Sequence, residues 1–169
     1  MIIKPDVIDR ALLSLKSNDF PIYYLSPRGV KLDAQISNSI SKLDGMTLVC
    51  GKYEGVDERV IKHYNMIEIS IGDYILSGGD LAAMVLIDSV VRCLPNVLGN
   101  PLTLNEESFT NHLLEYPLYT QPREWKNYKV PDVLLSGDHK KIKNWKIKQS
   151  EDITMKRRPD LWKKYLKLK

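Results

Sequence analysis

Short apolar runs alternate with amphipathic segments along the first part of the chain. The apolar runs predict three strands, at residues 21–25, 46–50 and 65–71. The amphipathic segments predict four helices, at 5–15, 33–43, 54–64 and 80–94, the last with Asp80 as its N-cap and Pro95 as its stop. Strands that alternate with helices in this way predict an α/β protein with a parallel sheet.

Each predicted strand runs into a loop of turn residues and glycines. The first is followed by a predicted turn at 26–29, the second by a loop with Gly51 and Gly55, and the third passes through Gly72 and stops at Gly78 and Gly79. Because the carboxyl ends of parallel strands meet at one edge of a sheet, these loops are expected to lie together. Glycine lets the backbone approach a ligand closely, so the pattern predicts one pocket built largely from backbone.

Beyond Pro95 the pattern changes twice. Residues 96–131 carry four prolines among polar clusters and predict an irregular connector, whereas the chain from about Val133 is predicted to be helical. The net charge is +4, but residues 140–169 hold 12 basic against 3 acidic residues, which leaves 13 basic and 18 acidic residues in 1–139. Such an asymmetry favours a nucleic acid as partner, with a solvated amphipathic tail as the alternative.

Composition narrows the class of protein. A chain of 169 residues with 43% hydrophobic content can bury one core and a small appendage. No apolar run has the length of a membrane span, and the first residues lack the pattern of a secretory signal, so a cytoplasmic location is expected. Cys50 and Cys93 have no metal-ligand spacing and are predicted to be buried free thiols.

Common catalytic motifs do not account for the polar residues. The glycine spacing matches neither the G-x-G-x-x-G motif nor a P-loop, and Ser77 is not in a G-x-S-x-G elbow. The remaining candidates are carboxylates and one arginine on an apolar helix: Glu54, Asp57, Glu58, Asp73, Asp80, Glu106, Glu107, Glu115 and Arg92. Arg92 lies four residues after Asp88, so a surface ion pair is the alternative explanation of this arginine.

A series of motifs along almost the whole chain points to one family. They are Tyr24–Gly29, Leu48–Val60, Ser70–Asp80, Leu86–Arg92, Pro95–Gly99, Glu107–Phe109, Tyr116–Pro117, Tyr119–Thr120, Val133–Gly137, Trp145, Lys148–Ser150 and Arg157–Leu161. In this order and spacing the chain resembles the bacterial tRNA (guanine-N1)-methyltransferases of the TrmD type, members of the knotted SPOUT class.

The resemblance implies a SPOUT-type parallel sheet with a C-terminal trefoil knot, followed by a small helical domain. It also implies a homodimer whose active sites are shared between subunits, and S-adenosylmethionine as the methyl donor. The implied cofactor-binding residues are Tyr24, Leu25, Ser26, Gly51, Gly55, Ile71, Gly72, Asp73, Tyr74, Ile75, Leu76, Gly78 and Gly79. A valine at position 78 is expected to abolish cofactor binding by filling space and penalising a positive φ.

The implied reaction moves a methyl group to N1 of a guanine, which carries a proton at neutral pH and therefore needs a base. By family position this base is Glu107 of the partner subunit, and Arg92 stabilises the charge that develops on the ring. The family usually has aspartate there, and the adjacent Glu106 is an alternative base. Tyr53, Glu54 and Glu115 are implied near the target base. Without the resemblance, the two glutamates equally suit an acidic cap on a helix that begins near Ser108.

The sequence therefore predicts a knotted cofactor domain at 1–97, a connector at 98–131 and a basic helical tRNA-binding domain at 132–169. The predicted function is N1-methylation of the guanosine immediately 3′ of the anticodon. The alternative is an RNA-binding dimer without catalytic activity. Members of the family normally have a further segment upstream of the position of Met1, so a shortened chain is expected. No residue of the chain is predicted to bind a metal ion. A magnesium ion that binds together with the substrate is kept as an alternative.

Overall fold

The computed structural model describes residues 1–15, 19–99 and 107–169. The chain divides into two compact units, Met1–Gly99 and Asn100–Lys169. The first unit is an α/β structure, as its alternating pattern predicts. The second unit contains the basic stretch at 140–169, with 12 basic and 3 acidic residues.

Over residues 1–15 and 19–99 the first unit has four helices and three strands. They are α1 (Pro5–Leu13), β1 (Ile22–Lys31), α2 (Ala34–Ile40), β2 (Thr47–Cys50), α3 (Glu58–His63), β3 (Ile67–Ser70) and α4 (Asp80–Val91). The strands form a parallel sheet in the order β2–β1–β3. Both outer strands therefore pair with β1, which is the central strand of the sheet.

Two apolar clusters lie on opposite faces of the sheet. Alternation along β1 sends Tyr23 and Leu25 into one cluster and Tyr24 into the other. The first cluster is completed by α2 and α4, with Leu86 fully buried. The second is completed by α1 and α3, including Leu12 and neighbours from α3. Helices on both faces leave the edge formed by the strand ends as the place for a site.

The predicted turn at 26–29 is wrong, because β1 continues through it to Lys31. Leu25 and Val30 both pair with Ile69 of β3, so the four residues between them form a bulge. A Cβ at Gly29 would lie 2.3 Å from the backbone carbon of Glu68, so only glycine fits against β3 there. The bulge moves Ser26–Gly29 out of the ladder without ending the strand.

Several helix boundaries also differ from the sequence prediction. The helix predicted at 54–64 begins only at Glu58, because Gly55 has φ +107° and Val56 bridges Ile3. Asp80 is not an N-cap: Gly79 holds that position without a side-chain hydrogen bond, and Asp80 is the first helical residue. The predicted thiols Cys50 and Cys93 are free but only half-buried.

Over residues 107–169 the second unit has three α-helices, α5 (Asp132–Leu135), α6 (His139–Arg157) and α7 (Pro159–Leu166). The predicted connector at 98–131 lies mostly in this unit and contains a hairpin of β4 (Glu124–Trp125) and β5 (Tyr128–Lys129). Near Ser108 the described chain has a 3₁₀ turn at Thr110–His112 and no α-helix, so the helix-cap explanation of Glu107 is wrong. Among the described residues, no helix is long and apolar enough to cross a membrane.

Candidate active site

A cavity of about 760 Å³ lies at the strand ends of the first unit. Its walls come from the bulge of β1, the loop after β2, the loop after β3 and the start of α4. All the predicted cofactor-binding residues line it except Asp73, whose carboxylate bonds Lys31 at 3.0 Å. Tyr53 and Glu54, predicted to contact the substrate base, also line it. The volume is within the usual range of small-molecule sites.

The buried Tyr24 organises the wall on the β2 side. Its hydroxyl oxygen accepts a hydrogen bond from the Val56 amide at 3.3 Å. A Cβ on Gly51 or on Gly55 would lie 3.0 Å from the same oxygen. Because glycine occupies both positions, the loop after β2 closes over the phenol and exposes its backbone to the cavity.

Gly79 joins the loop after β3 to the end of β2. Its amide donates to the Gly51 carbonyl at 2.8 Å, and an added Cβ would lie 3.0 Å from the Cα of Cys50. Gly78 differs, because its φ is not positive and an added Cβ would have its nearest neighbours at 3.7 Å. The expectation that Gly78 needs a positive φ is therefore wrong, and Gly79 is the position with the tight backbone contact.

The loop after β3 is held by its own polar groups. Ser70 is buried, and its hydroxyl donates to the Gly72 carbonyl at 3.1 Å and accepts from the Gly72 amide at 3.3 Å. Gly72 has φ +151°, and a Cβ there would lie 2.4 Å from the ring of Tyr74. This closed turn brings Tyr74 and Ile75 to the cavity, where both stay more than half exposed.

Arg28 is a cavity residue that the sequence analysis did not identify. Its guanidinium bonds Glu58 at 3.0 Å and Glu68 at 3.1 Å, which connects the β1 bulge to α3 and β3. These bonds raise the pKa of Arg28, so it is fully charged. Its partners are 30 and 40 residues away, and no local pattern indicates them.

Three carboxylates line the same side of the cavity and differ in their partners. Asp57 caps α3 and bonds the Arg59 side chain at 2.9 Å, and these bonds lower the pKa of Asp57 to about 2. Glu58 bonds Arg28. The Glu54 amide donates to the Met1 carbonyl at 3.1 Å, but the Glu54 carboxylate has no hydrogen-bond or ion-pair partner among the residues that the structure describes. It is therefore the carboxylate here that is available to a ligand with positive charge.

The predicted catalytic residues belong to different parts of the chain. Arg92 follows α4 in the first unit, is half-buried, and its amide donates to the Asp88 carbonyl at 3.2 Å. Glu107 and Glu115 are in the second unit, both half-buried. The alternative base Glu106 lies outside the described residues.

A hydrogen-bonded loop carries Glu107 and Glu115. The Glu115 amide donates to the Ser108 hydroxyl at 2.9 Å, which closes the loop. The Leu114 amide donates at 2.8 Å to the hydroxyl of Thr154, a fully buried residue of α6. Thr154 in turn donates to the Ser150 carbonyl at 2.6 Å, so its hydroxyl joins the loop to the helix.

Over residues 1–15, 19–99 and 107–169, no group of three or more His, Cys, Asp or Glu side chains is arranged to hold a metal ion. Burial, and secondarily the charge of Asp80, raise the pKa of the Cys50 thiol. This thiol is therefore protonated at neutral pH and makes a poor nucleophile there.

Comparisons with known proteins agree with the motifs. The chain is 54% identical over 167 residues to a tRNA (guanine-N(1)-)-methyltransferase of Pelagibacter ubique, covering 99% of this chain and 73% of that protein. It is 51% identical over 166 residues to the Rhodospirillum rubrum protein of the same name, covering 98% and 70%. The Ehrlichia canis protein of that name is 49% identical over 164 residues, covering 95% and 70%. None of these names supports the alternative of an inactive RNA-binding dimer.

A family model described as tRNA (guanine-1)-methyltransferase TrmD matches residues 1–164. The match includes both units and every candidate site residue discussed above. The chain therefore belongs to the TrmD family of tRNA (guanine-1)-methyltransferases.

Proposed function

We propose that this methyltransferase moves a methyl group from S-adenosylmethionine to N1 of the guanosine immediately 3′ of the anticodon in tRNA. The observation that carries the proposal is the glycine-walled cavity at the strand ends, in a chain of this family. In the SPOUT class implied by the resemblance, this cavity is part of a trefoil knot.

The residues of the cavity suit S-adenosylmethionine. Gly51, Gly55 and Gly79 place backbone without side chains at the wall, which leaves room for a flat adenine ring to approach closely. Leu25 and Leu76 supply apolar surface beside them. When bound, this cofactor supplies a methyl group on a positively charged sulfur. Glu54 is the carboxylate that we assign to face positive charge or the target base.

The proton on guanine N1 must leave as the methyl group arrives. We assign Glu107 as the base that accepts this proton and Arg92 as the cation that stabilises the negative charge on the ring. The loop bonded to Thr154 would fix the backbone next to Glu107. Glu115, on the same loop, is assigned to the surroundings of the base.

A homodimer is part of the proposal, and helix α4 supports it. Its inward positions Ala82, Leu86 and Val90 are buried, yet its other side exposes large apolar side chains. These are Leu81, Met84, Val85, Ile87 and Val91, each between 39% and 64% exposed. A helix that is apolar all round is normally buried, and a second copy of the chain would cover this face.

The basic helices are proposed to bind the tRNA. Lys140, Lys143 and Lys148 of α6 are exposed and make no salt bridge within the described ranges. Phosphate contacts by such lysines release counterions, so the affinity should fall steeply with salt. Changing all three to Gln should reduce the slope of log K against log salt by roughly one for each lysine that bonds a phosphate. Lys42→Gln, on the acidic first unit, is the matched control and should leave the slope unchanged.

The cofactor is tested by titration calorimetry of S-adenosylmethionine into the chain and into Gly78→Val. Since an added Cβ at Gly78 has room, the variant should fold normally and lose binding because the valine takes cavity space. A folded unmutated chain that gives no binding heat would refute the cofactor assignment.

The reaction is tested with an unmodified tRNA transcript that has guanosine 3′ of the anticodon, beside the same transcript with adenosine there. Mass spectrometry of the digested nucleosides should find N1-methylguanosine from the first transcript alone. Methylation of both transcripts, or at another guanine atom, would contradict the proposed specificity.

A further inference from the structure

The hairpin in the second unit is built to present its side chains outward. Its turn residues Lys126 and Asn127 have φ +48° and +67°, which is the type I′ geometry of a two-residue hairpin. The Val130 amide donates to the Arg123 carbonyl at 2.9 Å and extends the pairing by one step. The turn therefore fixes which residues lie opposite one another.

The fixed register places Trp125 directly opposite Tyr128. Opposite residues of an antiparallel pair lie on the same face, so both rings project from one face of the hairpin. Trp125 is 59% and Tyr128 is 76% exposed, and residues 118–129 are all exposed. The aromatic pair therefore contributes little to a core and forms a surface.

Positive charge surrounds this surface. The Lys126 ammonium lies 4.8 Å from the centre of the Trp125 ring. Neither Arg123 nor Lys126 makes a salt bridge in the described part of the chain, whereas Lys129 pairs with Glu124 at 3.7 Å. The two-residue periodicity of strands puts Glu124 and Lys129 on the face opposite to the aromatic pair. The aromatic face thus combines exposed rings with neighbouring positive charge.

We propose that this hairpin holds an unpaired nucleotide of the RNA substrate, with the base stacked on Trp125 and Tyr128 and its phosphate next to Arg123 and Lys126. Stacking on aromatic rings accepts any base, and nearby cations hold the phosphates of a single strand. A protein partner would need apolar or acidic groups to match the same face, and the cations make RNA the better fit. The inference rests on the proposed tRNA substrate and adds a contact separate from the basic helices.

Fluorescence of Trp125 tests the contact directly. The full chain with Trp145→Phe and Trp162→Phe keeps Trp125 as its one tryptophan. The anisotropy of a labelled, unmodified tRNA transcript shows when the protein is saturated. At saturation the Trp125 emission should be quenched, because the ring stacks on a base. A fully paired RNA duplex is the control and should bind without quenching.

Paired substitutions separate stacking from simple apolar contact. Trp125→Phe with Tyr128→Phe keeps two rings and should bind tRNA nearly as well as the parent. Trp125→Leu with Tyr128→Leu keeps apolar area without rings and should weaken binding roughly tenfold, the effect of losing a stacked base. Glu124→Gln, on the opposite face, should not weaken it.

The possible outcomes are distinct. Normal tRNA methylation and binding with unquenched Trp125 would overturn the hairpin contact while leaving the proposed function intact. Full affinity in the double Leu variant would show that the rings do not stack on RNA, and would point to an apolar protein contact instead. Absence of any tRNA binding would overturn both the inference and the proposed function.

Discussion

The two units of this chain are stabilised by different means. Nearly all of the buried apolar residues lie in the first unit, on the two faces of its sheet, and Leu161 is the one in the described part of the second. Among the described residues of the second unit, the fully buried side chain is that of a polar residue, Thr154, whose hydroxyl holds a loop. A cavity with fixed walls suits an apolar core, whereas the loop that carries Glu107 is fixed to its helix by a hydrogen bond to a buried hydroxyl.

The largest expected effect tests how rigid the first unit is. Gly29→Ala would place a Cβ 2.3–2.5 Å from three backbone atoms of β3, so the strands must separate. We expect a loss of about 3 kcal/mol in the free energy of unfolding, the upper part of the usual range for overpacking. Urea unfolding measures it, with Gly99→Ala as the control because no described atom lies within 4 Å of the Cβ at that position. Equal stability of the two variants would contradict the tight contact at the bulge.

The next effect tests whether the second unit supplies the base. Glu107→Gln should lower the rate of methyl transfer by roughly 10²-fold, as loss of a positioned base does, with cofactor binding unchanged. Glu107→Asp should be tolerated, because it restores the shorter side chain usual in the family. Glu106→Gln is the neighbouring control and should have little effect. If Glu106→Gln lost the activity and Glu107→Gln kept it, Glu106 would be the base. Full activity in both variants would exclude a carboxylate base at positions 106 and 107.

A smaller effect tests whether the hydroxyl of Thr154, rather than its apolar part, stabilises the second unit. Thr154→Val keeps the shape of the side chain and leaves the Leu114 amide without its acceptor. The expected cost is about 1–3 kcal/mol in the stability of the second unit, with cofactor affinity unchanged. Thr154→Ser retains the hydroxyl and should recover most of the loss. Hydrogen exchange of the Leu114 amide provides the measurement, and unaltered protection in the Val variant would show that the loop is held in another way.

The smallest effect concerns pH. Lys169, and secondarily Tyr165, bond the carboxylate of Glu151 and lower the pKa of Glu151 below its usual 4.5. Because the pKa of Glu151 is lower in the folded state than in the unfolded state, its carboxylate stabilises the fold fully at a pH above the unfolded-state pKa. This stabilisation is lost as the pH falls through the folded-state pKa. Because Lys169 is more than half exposed, Glu151→Gln should cost less than about 1 kcal/mol near pH 7, and this cost should shrink as the pH falls below 4.5. Thermal melts across this range test it, and a cost that does not shrink would refute the ion pair as the cause.

The contrast between the units also explains what the sequence could predict. The strands and helices of the first unit follow from local periodicity, and the glycines at the strand ends correctly indicated a cavity. The bulge of β1 was mistaken for a turn because Ser26, Pro27 and Gly29 are turn residues, and only pairing with β3 keeps them in the strand. Arg28 was missed because its partners are distant in sequence. The hairpin at 124–129 was missed because each strand has only two residues.

The bulge also has a genetic consequence. Every single-nucleotide change in a glycine codon that alters the residue introduces a side chain, and backbone atoms of Glu68 and Ile69 occupy the space that it would need at position 29. Stepwise substitution therefore offers no neutral path away from Gly29. Position 29 can therefore change only together with the length of the bulge or the path of β3.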